Sequence, residues 1–384
     1  MTLELQPTEL ATPVARALGK STVDILDWHS TPLTGGGSTY AGGTGIYRVA
    51  GTAQAGDGIH HWSMILKMAS GASPTAGHEP GARNYWRREA VAYQSGLLGA
   101  LPGEHLVAPH CWAVQDRPGD ESWIWLEEIQ SSNGAWSLDR YHQAARHLGQ
   151  FNGAYLAGYP LPVAQPWMTR GRTRVWIEFT RTCIDQIHQW AEAPLVRRWF
   201  GPNGLERILD LWSHCPQLLA AFERLPVCYC HHDAHRRNLL ERQRPDGTTE
   251  TVAIDWALTG FGRIGEEAGV TMTASLELME IAANQAQELD QAVFSGYIDG
   301  LHDAGWAGDV RLARLGYTVN ACLGTVLGNF YFLEAMQTAA GITFLEAFIG
   351  QPLAVMIEQW AETLPFCLDR YDEALALAER GLAV

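Results

Sequence analysis

Hydrophobic and polar positions alternate with a period of two through residues 46–53 (IYRVAGTA) and 60–70 (HHWSMILKMAS). That period puts successive side chains on opposite faces, so both stretches are expected as half-buried strands. A short apolar run at residues 23–28 precedes them. Between lies TPLTGGGSTYAGGTG, which holds Gly35, Gly36, Gly37, Gly42, Gly43 and Gly45. Strand, glycine-rich turn and strand make a hairpin whose backbone N–H groups can approach phosphates. The period then changes. In NYWRREAVAYQSGLL, Trp86, Ala90, Tyr93 and Leu97 recur at helical spacing, with Glu89 beside that face. Residues 106–114 and 122–126 read as two more strands about the turn QDRPGDE. From Ser137, a residue suited to an N-cap, the pattern is helical: Ala145, Leu148, Phe151 and Tyr155 share one stripe. RTRVWIEFTRTCIDQIHQWAEA and GLERILDLWSHCPQLLAAFERL continue in kind. The expectation is an α+β chain in two parts. Five strands with one helix inserted after the third fill residues 1–130, and a larger, mainly helical part fills 131–384.

Composition narrows the class. A chain of 384 residues has room for two lobes, and 47% hydrophobic with 18% charged residues describes a large globular core. The net charge of −15 argues against a nucleic-acid surface, which needs clustered Lys and Arg. It serves solubility and is compatible with drawing in a cationic small molecule. No apolar run is long enough to span a bilayer, and MTLELQPTEL lacks the basic and apolar regions of a signal peptide. Seven dispersed cysteines suit reduced thiols in a cytoplasmic protein better than a disulfide framework. LGKST at residues 18–22 imitates a phosphate-binding loop, but that loop needs glycine where Val14 stands and a strand before it.

The densest chemistry is HHDAHRRNLLERQRPDGTTETVAIDW, from His231 to Trp256. Pro226 ends the helical pattern and VCYC leads in as a strand. Arg244, Pro245, Asp246 and Gly247 form a turn between two strands, because Pro presets φ and Gly accepts positive φ. The hairpin returns Asp255 towards the loop that carries Asp233 and Asn238. Two carboxylates and an amide oxygen make a hard-oxygen environment for Mg²⁺. One carboxylate can instead face an incoming hydroxyl and take its proton. The spacing His231-x-Asp233-x₄-Asn238 is that of a protein-kinase catalytic loop, which also has an aspartate at a following hairpin end. Asp-x₄-Asn alone arises by chance roughly once in a chain of this length, and the added histidine lowers that to about 2%. A zinc site built from Cys228, Cys230, His231, His232 and His235 fits none of the usual ligand spacings. The two cysteines suit the core side of a strand, and a charged surface loop would leave the flanking apolar strands unexplained.

On these residues the chain resembles the aminoglycoside phosphotransferase and choline kinase superfamily, small-molecule kinases with a protein-kinase-like fold. The resemblance runs from about residue 23 to about residue 274. It implies a nucleotide-binding N-lobe over 1–130 with an antiparallel five-stranded sheet. The C-lobe over 131–384 would hold the catalytic loop, the Mg²⁺ site and the substrate helices. Gly43 and Gly45 would lie over the phosphates, Lys67 would hold them, and Glu89 would orient Lys67. The backbone near Glu127 and Ile129 would receive the adenine. Asp233 would be the catalytic base, His231 would brace its loop, and Asn238 and Asp255 would bind Mg²⁺. The nucleotide implied is ATP, with GTP open.

Two positions depart from the pattern. His232 stands where glycine is frequent in the superfamily and is expected to narrow the site, and Glu266 stands near the place where its members often carry an aspartate that anchors the catalytic loop, for which Glu266 is expected to substitute. No A-P-E segment exists and Trp-Ala follows Asp255, which disfavours a protein kinase. The implied activity is phosphorylation of a hydroxyl on an aminoglycoside, amino sugar, sugar or choline-like alcohol, contacted from residues 170–199 and 270–331. Glu266, Glu267, Glu277 and Glu280 could attract amines or form a solvated or structural face. The alternative is a nucleotide-binding pseudokinase that regulates without turnover, against which Lys67, Asp233, Asn238 and Asp255 are all present. A zinc-dependent hydrolase is a distant third. No nucleic-acid or membrane partner is expected, and oligomeric state is not addressed by the sequence.

Overall fold

The computed structural model describes residues 3–33, 42–130 and 134–380. Gly35, Gly36 and Gly37 lie outside the described residues. Helix α1 (Pro7–Ala17) precedes β1 (Asp24–Pro32), β2 (Gly43–Ala55) and β3 (Gly58–Ser70). Then come α2 (Arg88–Gln94), the two-residue β4 (Leu106–Val107), β5 (Cys111–Arg117) and β6 (Glu121–Glu127). Five strands form one antiparallel sheet in the order β1-β2-β3-β6-β5, as the alternation requires. On one face Val49, Trp62, Met64, Leu66, Trp123 and Trp125 pack with Leu10 and Val14 of α1, a helix for which the sequence reading had no expectation. On the other face Ile65, Ile124 and Leu126 pack with Ala90 of α2. Lys67 follows Leu66 by one residue, so the pleat turns it to the α2 face.

Two expected elements differ. Residues 106–114 do not form one strand, because Pro109 has no N–H to donate to a ladder. The helix expected from residue 84 starts at Arg88, and the reason is Arg88 itself. Its fully buried guanidinium donates to the carbonyls of Pro80, Ala82, Arg83, Trp167 and Ala257, so the chain before it wraps as a loop.

The second half opens with α3 (Leu138–Leu156), capped by the Ser137 hydroxyl, which accepts from the Arg140 N–H at 3.2 Å. Its stripe of Ala145, Leu148, Phe151 and Tyr155 is buried as expected. Next come α4 (Arg172–Arg181), the short α5 (Ile187–Trp190) and α6 (Pro194–Phe200), and α7 (Gly204–Glu223). The run from residue 172 is thus broken, whereas α7 is continuous. Strands β7 (Val227–Cys230), β8 (Leu239–Gln243), β9 (Thr249–Ala253) and β10 (Gly260–Arg263) follow. β7 pairs with β10, β8 forms the expected hairpin with β9 through Gly247 at φ +85°, and β4 joins β9 in parallel. The chain closes with α8 (Glu266–Glu277), α9 (Ala286–Asp303), α10 (Val310–Val319), a π-helical turn (Asn320–Val326), α11 (Phe330–Ala335), α12 (Ala339–Ile349) and α13 (Leu353–Glu379). Glycines let α3 and α9 touch backbone to backbone: a Cβ at Gly149 would strike the Tyr297 carbonyl, and one at Gly300 the Arg146 carbonyl. That contact brings Asn152 and Tyr297 beneath the catalytic-type loop. Among the described residues no single helix is long and apolar enough to cross a membrane.

Candidate active site

Lys67 sits where the sheet meets the second half. Its Nζ lies 2.5 Å from Glu89 Oε2 on α2 and 2.6 Å from Asp255 Oδ1 beyond β9. Glu89 also accepts from the Trp256 N–H at 3.2 Å. The expected Lys67–Glu89 pair is thus formed, and Asp255 shares it. Burial pulls the ammonium pKa down, but Asp255 and Glu89 together more than reverse it and hold Lys67 cationic. Asp255 has φ +63°, an unfavourable conformation for a non-glycine residue that turns its carboxylate out of the strand direction.

The loop after β7 is built around His231. Its Nε2 lies 2.8 Å from the Ile254 carbonyl and its Nδ1 accepts from the Asp233 N–H at 3.1 Å. Those two bonds fix a neutral ring protonated on Nε2. His231 therefore ties the loop to the strand end that carries Asp255, which fits a brace. Burial lowers its pKa from 6.5 to about 4. A folded value below the unfolded one contributes stability that is present above about pH 6.5 and lost as pH falls through about 4. Urea unfolding near pH 7 and near pH 4.5 should therefore show the wild type losing about 2 kcal/mol more than His231→Asn. Parallel pH curves for the two proteins would remove this role.

The acid that anchors the loop is Glu267 and not Glu266. Glu267 Oε1 accepts from the backbone N–H groups of His231 and His232, at 2.5 and 3.1 Å, and Oε2 accepts from Asn152 Nδ2 at 2.8 Å. Tyr297 completes the chain by donating to Asn152 Oδ1 at 2.9 Å. Burial pushes the Glu267 carboxyl up to about 7 against these donors. Glu266 faces the other way, accepting from the Thr173 and Arg263 N–H groups. Both are fully buried at the start of α8, so the solvated face weighed for them is absent. Nor does His232 narrow the site. At φ +67° it turns into the core, where Nε2 lies 3.1 Å from the Phe261 carbonyl. Cys228 and Cys230 are buried as expected, and among the described residues no group of three His, Cys, Asp or Glu side chains is placed to hold a metal.

Asp233 and Asn238 come together, with Asn238 Nδ2 donating to Asp233 Oδ2 at 2.9 Å. The Ile254 N–H donates to the Asn238 carbonyl at 2.8 Å, which brings Asp255's strand end alongside. Sequence reasoning missed Arg172, whose Nη1 lies 2.9 Å from Asp233 Oδ1 and 3.3 Å from the His232 carbonyl. Burial would raise the Asp233 pKa, but His235 and Arg172 outweigh it and hold the carboxylate ionised. Only the arginine-rich opening of α4, RGRTR, hinted at such a partner.

One cavity of about 450 Å³ joins these groups. Gly43, Lys67, Glu89 and Ile124 line one end, Asp233, Asn238 and Asp255 the middle, and helical residues the other end. Glu127 and Ile129 are not among its described lining residues, and neither is Gly45. The Glu127 N–H is spent on the His110 carbonyl at 2.8 Å and its side chain pairs with Arg242 at 2.5 Å. Gly45 instead lies against the Tyr47 ring. The far wall includes Arg172, Trp176, Ala274 and Tyr331 from the expected segments, and adds Phe344 and Phe348 of α12, which were not expected.

The geometry sets hard oxygen donors, a bridged lysine and the ionised Asp233 carboxylate along one cleft. Comparison with known proteins agrees. No curated protein sequence matches the chain. In fold it is similar to a spectinomycin phosphotransferase solved with ADP and spectinomycin, at 15% identity and TM-score 0.54, over 96% of this chain and 100% of that one. It is also similar to an aminoglycoside phosphotransferase from Alicyclobacillus acidocaldarius, at 13% identity and TM-score 0.51, over 99% and 97%. The fold is therefore the protein-kinase-like one expected. The sequence from residue 105 to residue 307 matches the model of a phosphotransferase enzyme family, and that span covers more than half of the chain, from β4 past α9, so the protein belongs to this family.

Proposed function

We propose that the protein transfers the γ-phosphoryl group of ATP to a hydroxyl of a small molecule. The observation that carries this reading is Lys67, bridged to Glu89 and Asp255 at one end of a cavity whose middle holds Asp233. On this reading residues 1–130 bind the nucleotide and 131–384 supply the catalytic loop and the acceptor wall. Lys67 holds the phosphates, with Glu89 keeping it in place. Gly43 allows the backbone close to them. Asp233, kept ionised by its neighbours, aligns the acceptor hydroxyl and takes its proton, while His231 and Glu267 hold the loop that carries it. Transfer then depends mainly on positioning and charge.

The residues present fit a divalent cation. Asp255 Oδ2 and Asn238 Oδ1 are hard oxygen donors at the cavity, and Mg²⁺ characteristically takes one or two protein oxygens and fills its remaining positions with water and phosphate. When bound there, Mg²⁺ supplies positive charge against the phosphate oxygens. Asp255→Asn should weaken Mg²⁺-dependent nucleotide binding about tenfold or more, read by titrating Mg²⁺ at fixed nucleotide. An unchanged titration would remove Asp255 from that role. We place the protein in the cytoplasm, which all seven cysteines being free supports.

The test is ADP release with ATP and Mg²⁺ against pooled aminoglycosides, amino sugars, neutral sugars and amino alcohols. Acceptor-dependent release supports the proposal. Nucleotide binding without release in any pool would favour the regulatory alternative.

A further inference from the structure

A second cavity, of about 540 Å³, opens on the other face of α4 and, among the described residues, shares no lining residue with the one that holds Asp233. The arginines of RGRTR are divided between the two. Arg172 and Trp176, about one turn apart on α4, line the first cavity, and Arg170 and Arg174 line the second. Arg263 of β10 joins them, and Leu219 and Phe222 of α7 supply apolar surface together with Val227 and Phe261. Gly262 sets this cavity close behind the Asp233 loop, because a Cβ there would strike the His232 ring at 2.6 Å.

Its charges do not balance. In a chain whose net charge is −15, three guanidinium groups here meet only two carboxylates, Glu223 and Glu266. Glu223 is paired with Arg174. Glu266 is committed to the backbone, accepting from the Thr173 N–H at 2.9 Å and the Arg263 N–H at 3.2 Å. The half-buried Arg263 side chain donates from Nη1 to the Leu225 carbonyl at 3.0 Å. Burial holds its pKa below the ordinary arginine value, Glu266 opposes that shift and Arg174 adds to it. Arg170 is exposed at the mouth, and among the described residues no carboxylate pairs with it.

We infer that this rear cavity is a second ligand site, separate from the proposed active site, for an organic oxyanion: a carboxylate or phosphate group on an aromatic or alkyl body. One guanidinium in excess matches one negative charge, and the planar fork of arginine takes either oxyanion through paired N–H bonds. Arg170 and Arg263 are the groups with donors to spare. Phe222, Leu219, Val227 and Phe261 cover the body. The volume lies within the range of about 300–1,000 Å³ usual for small-molecule sites, and an apolar lining with a few charged groups is their usual make-up. A neutral ligand would leave the excess charge unmatched, an amine would meet three guanidinium groups, and a bare inorganic anion would leave the apolar wall wet. The occupant touches neither Lys67 nor Asp233, so it is neither the nucleotide nor the acceptor of the proposed reaction.

Calorimetry on the full chain tests this without requiring phosphorylation, at about 0.15 M salt so that scattered surface charges are screened. The probes are phenylacetate and phenyl phosphate, with phenethyl alcohol as the neutral body and inorganic phosphate as the charge without a body. At least one aryl anion should bind about tenfold or more tightly than both controls. Tighter binding of phenylacetate assigns the site to carboxylates, and tighter binding of phenyl phosphate assigns it to phosphate esters. Arg170→Ala should weaken the better anion about tenfold and leave the melting temperature within about 3 °C of wild type, because Arg170 is exposed. Arg263→Gln should weaken it too, and Arg170→Lys should keep part of the affinity. Anion binding that is unchanged in both Arg170→Ala and Arg263→Gln would place the probe elsewhere, as at Lys67 and Arg172, and overturns the inference. So does binding of phenethyl alcohol or inorganic phosphate as tight as that of the aryl anions, or no binding of either aryl anion up to about 10 mM.

Discussion

Asp233→Asn should lower acceptor-dependent turnover by about 10²–10⁴-fold, the usual worth of a positioned general base, while nucleotide affinity stays within about twofold. The structure separates the two effects. Asp233 is held by Arg172, Asn238 and His235, and its loop is held from below by His231 and Glu267. None of these is the Lys67 cluster, so nucleotide contacts should survive the substitution. Asparagine keeps the size of the side chain and an oxygen for Arg172, and removes the charge that takes a proton. The loss should appear in kcat, with the acceptor KM changed much less. A variant with wild-type kcat would take the chemistry away from Asp233 and leave it an ordinary partner of Arg172.

The second large effect is expected at Lys67. Lys67→Met should lower kcat/KM for ATP by about 10²–10³-fold, as for removal of one electrostatic contact to a developing charge. It should also destabilise the fold by about 3 kcal/mol, because Glu89 and Asp255 lose the cation they share. Glu89 is buried and cannot recover by solvation, so its carboxyl must protonate. Double substitution Lys67→Met with Glu89→Gln should restore much of the stability and none of the turnover. Thermal melting and steady-state kinetics on the two variants separate these outcomes. Recovery of activity in the double variant would mean that Lys67 serves the fold and not the phosphates.

What the sequence made legible follows from the range of each physical cause. The strand positions of Lys67 and its neighbours were readable because alternation is local, and one residue of register decides which face meets α2. The Arg244–Gly247 turn was readable for the same reason, and with it the return of Asp255 towards Asp233. Pro109 was a readable break that the apolar run around it masked. The start of α2 was not readable, because it depends on Arg88 collecting carbonyls from Trp167 and Ala257, far along the chain. Glu266 and Glu267 are adjacent on one helix, so spacing cannot say which of them turns to the catalytic-type loop. Packing against Asn152 and Tyr297 on other helices decides it. Arg172 stands 61 residues before its partner Asp233, and no local pattern links them.

On the proposed function, Asp233 and the Lys67 cluster act on one phosphoryl group between two substrates. The most direct measurement is mass spectrometry of the acceptor after incubation with γ-labelled ATP and Mg²⁺, with wild type and Asp233→Asn in parallel. Label is expected on an acceptor hydroxyl in amounts equal to the ADP formed, and almost none with the variant. ATP that binds tightly and stays intact with every acceptor pool, or label transfer equal in the variant, would contradict it.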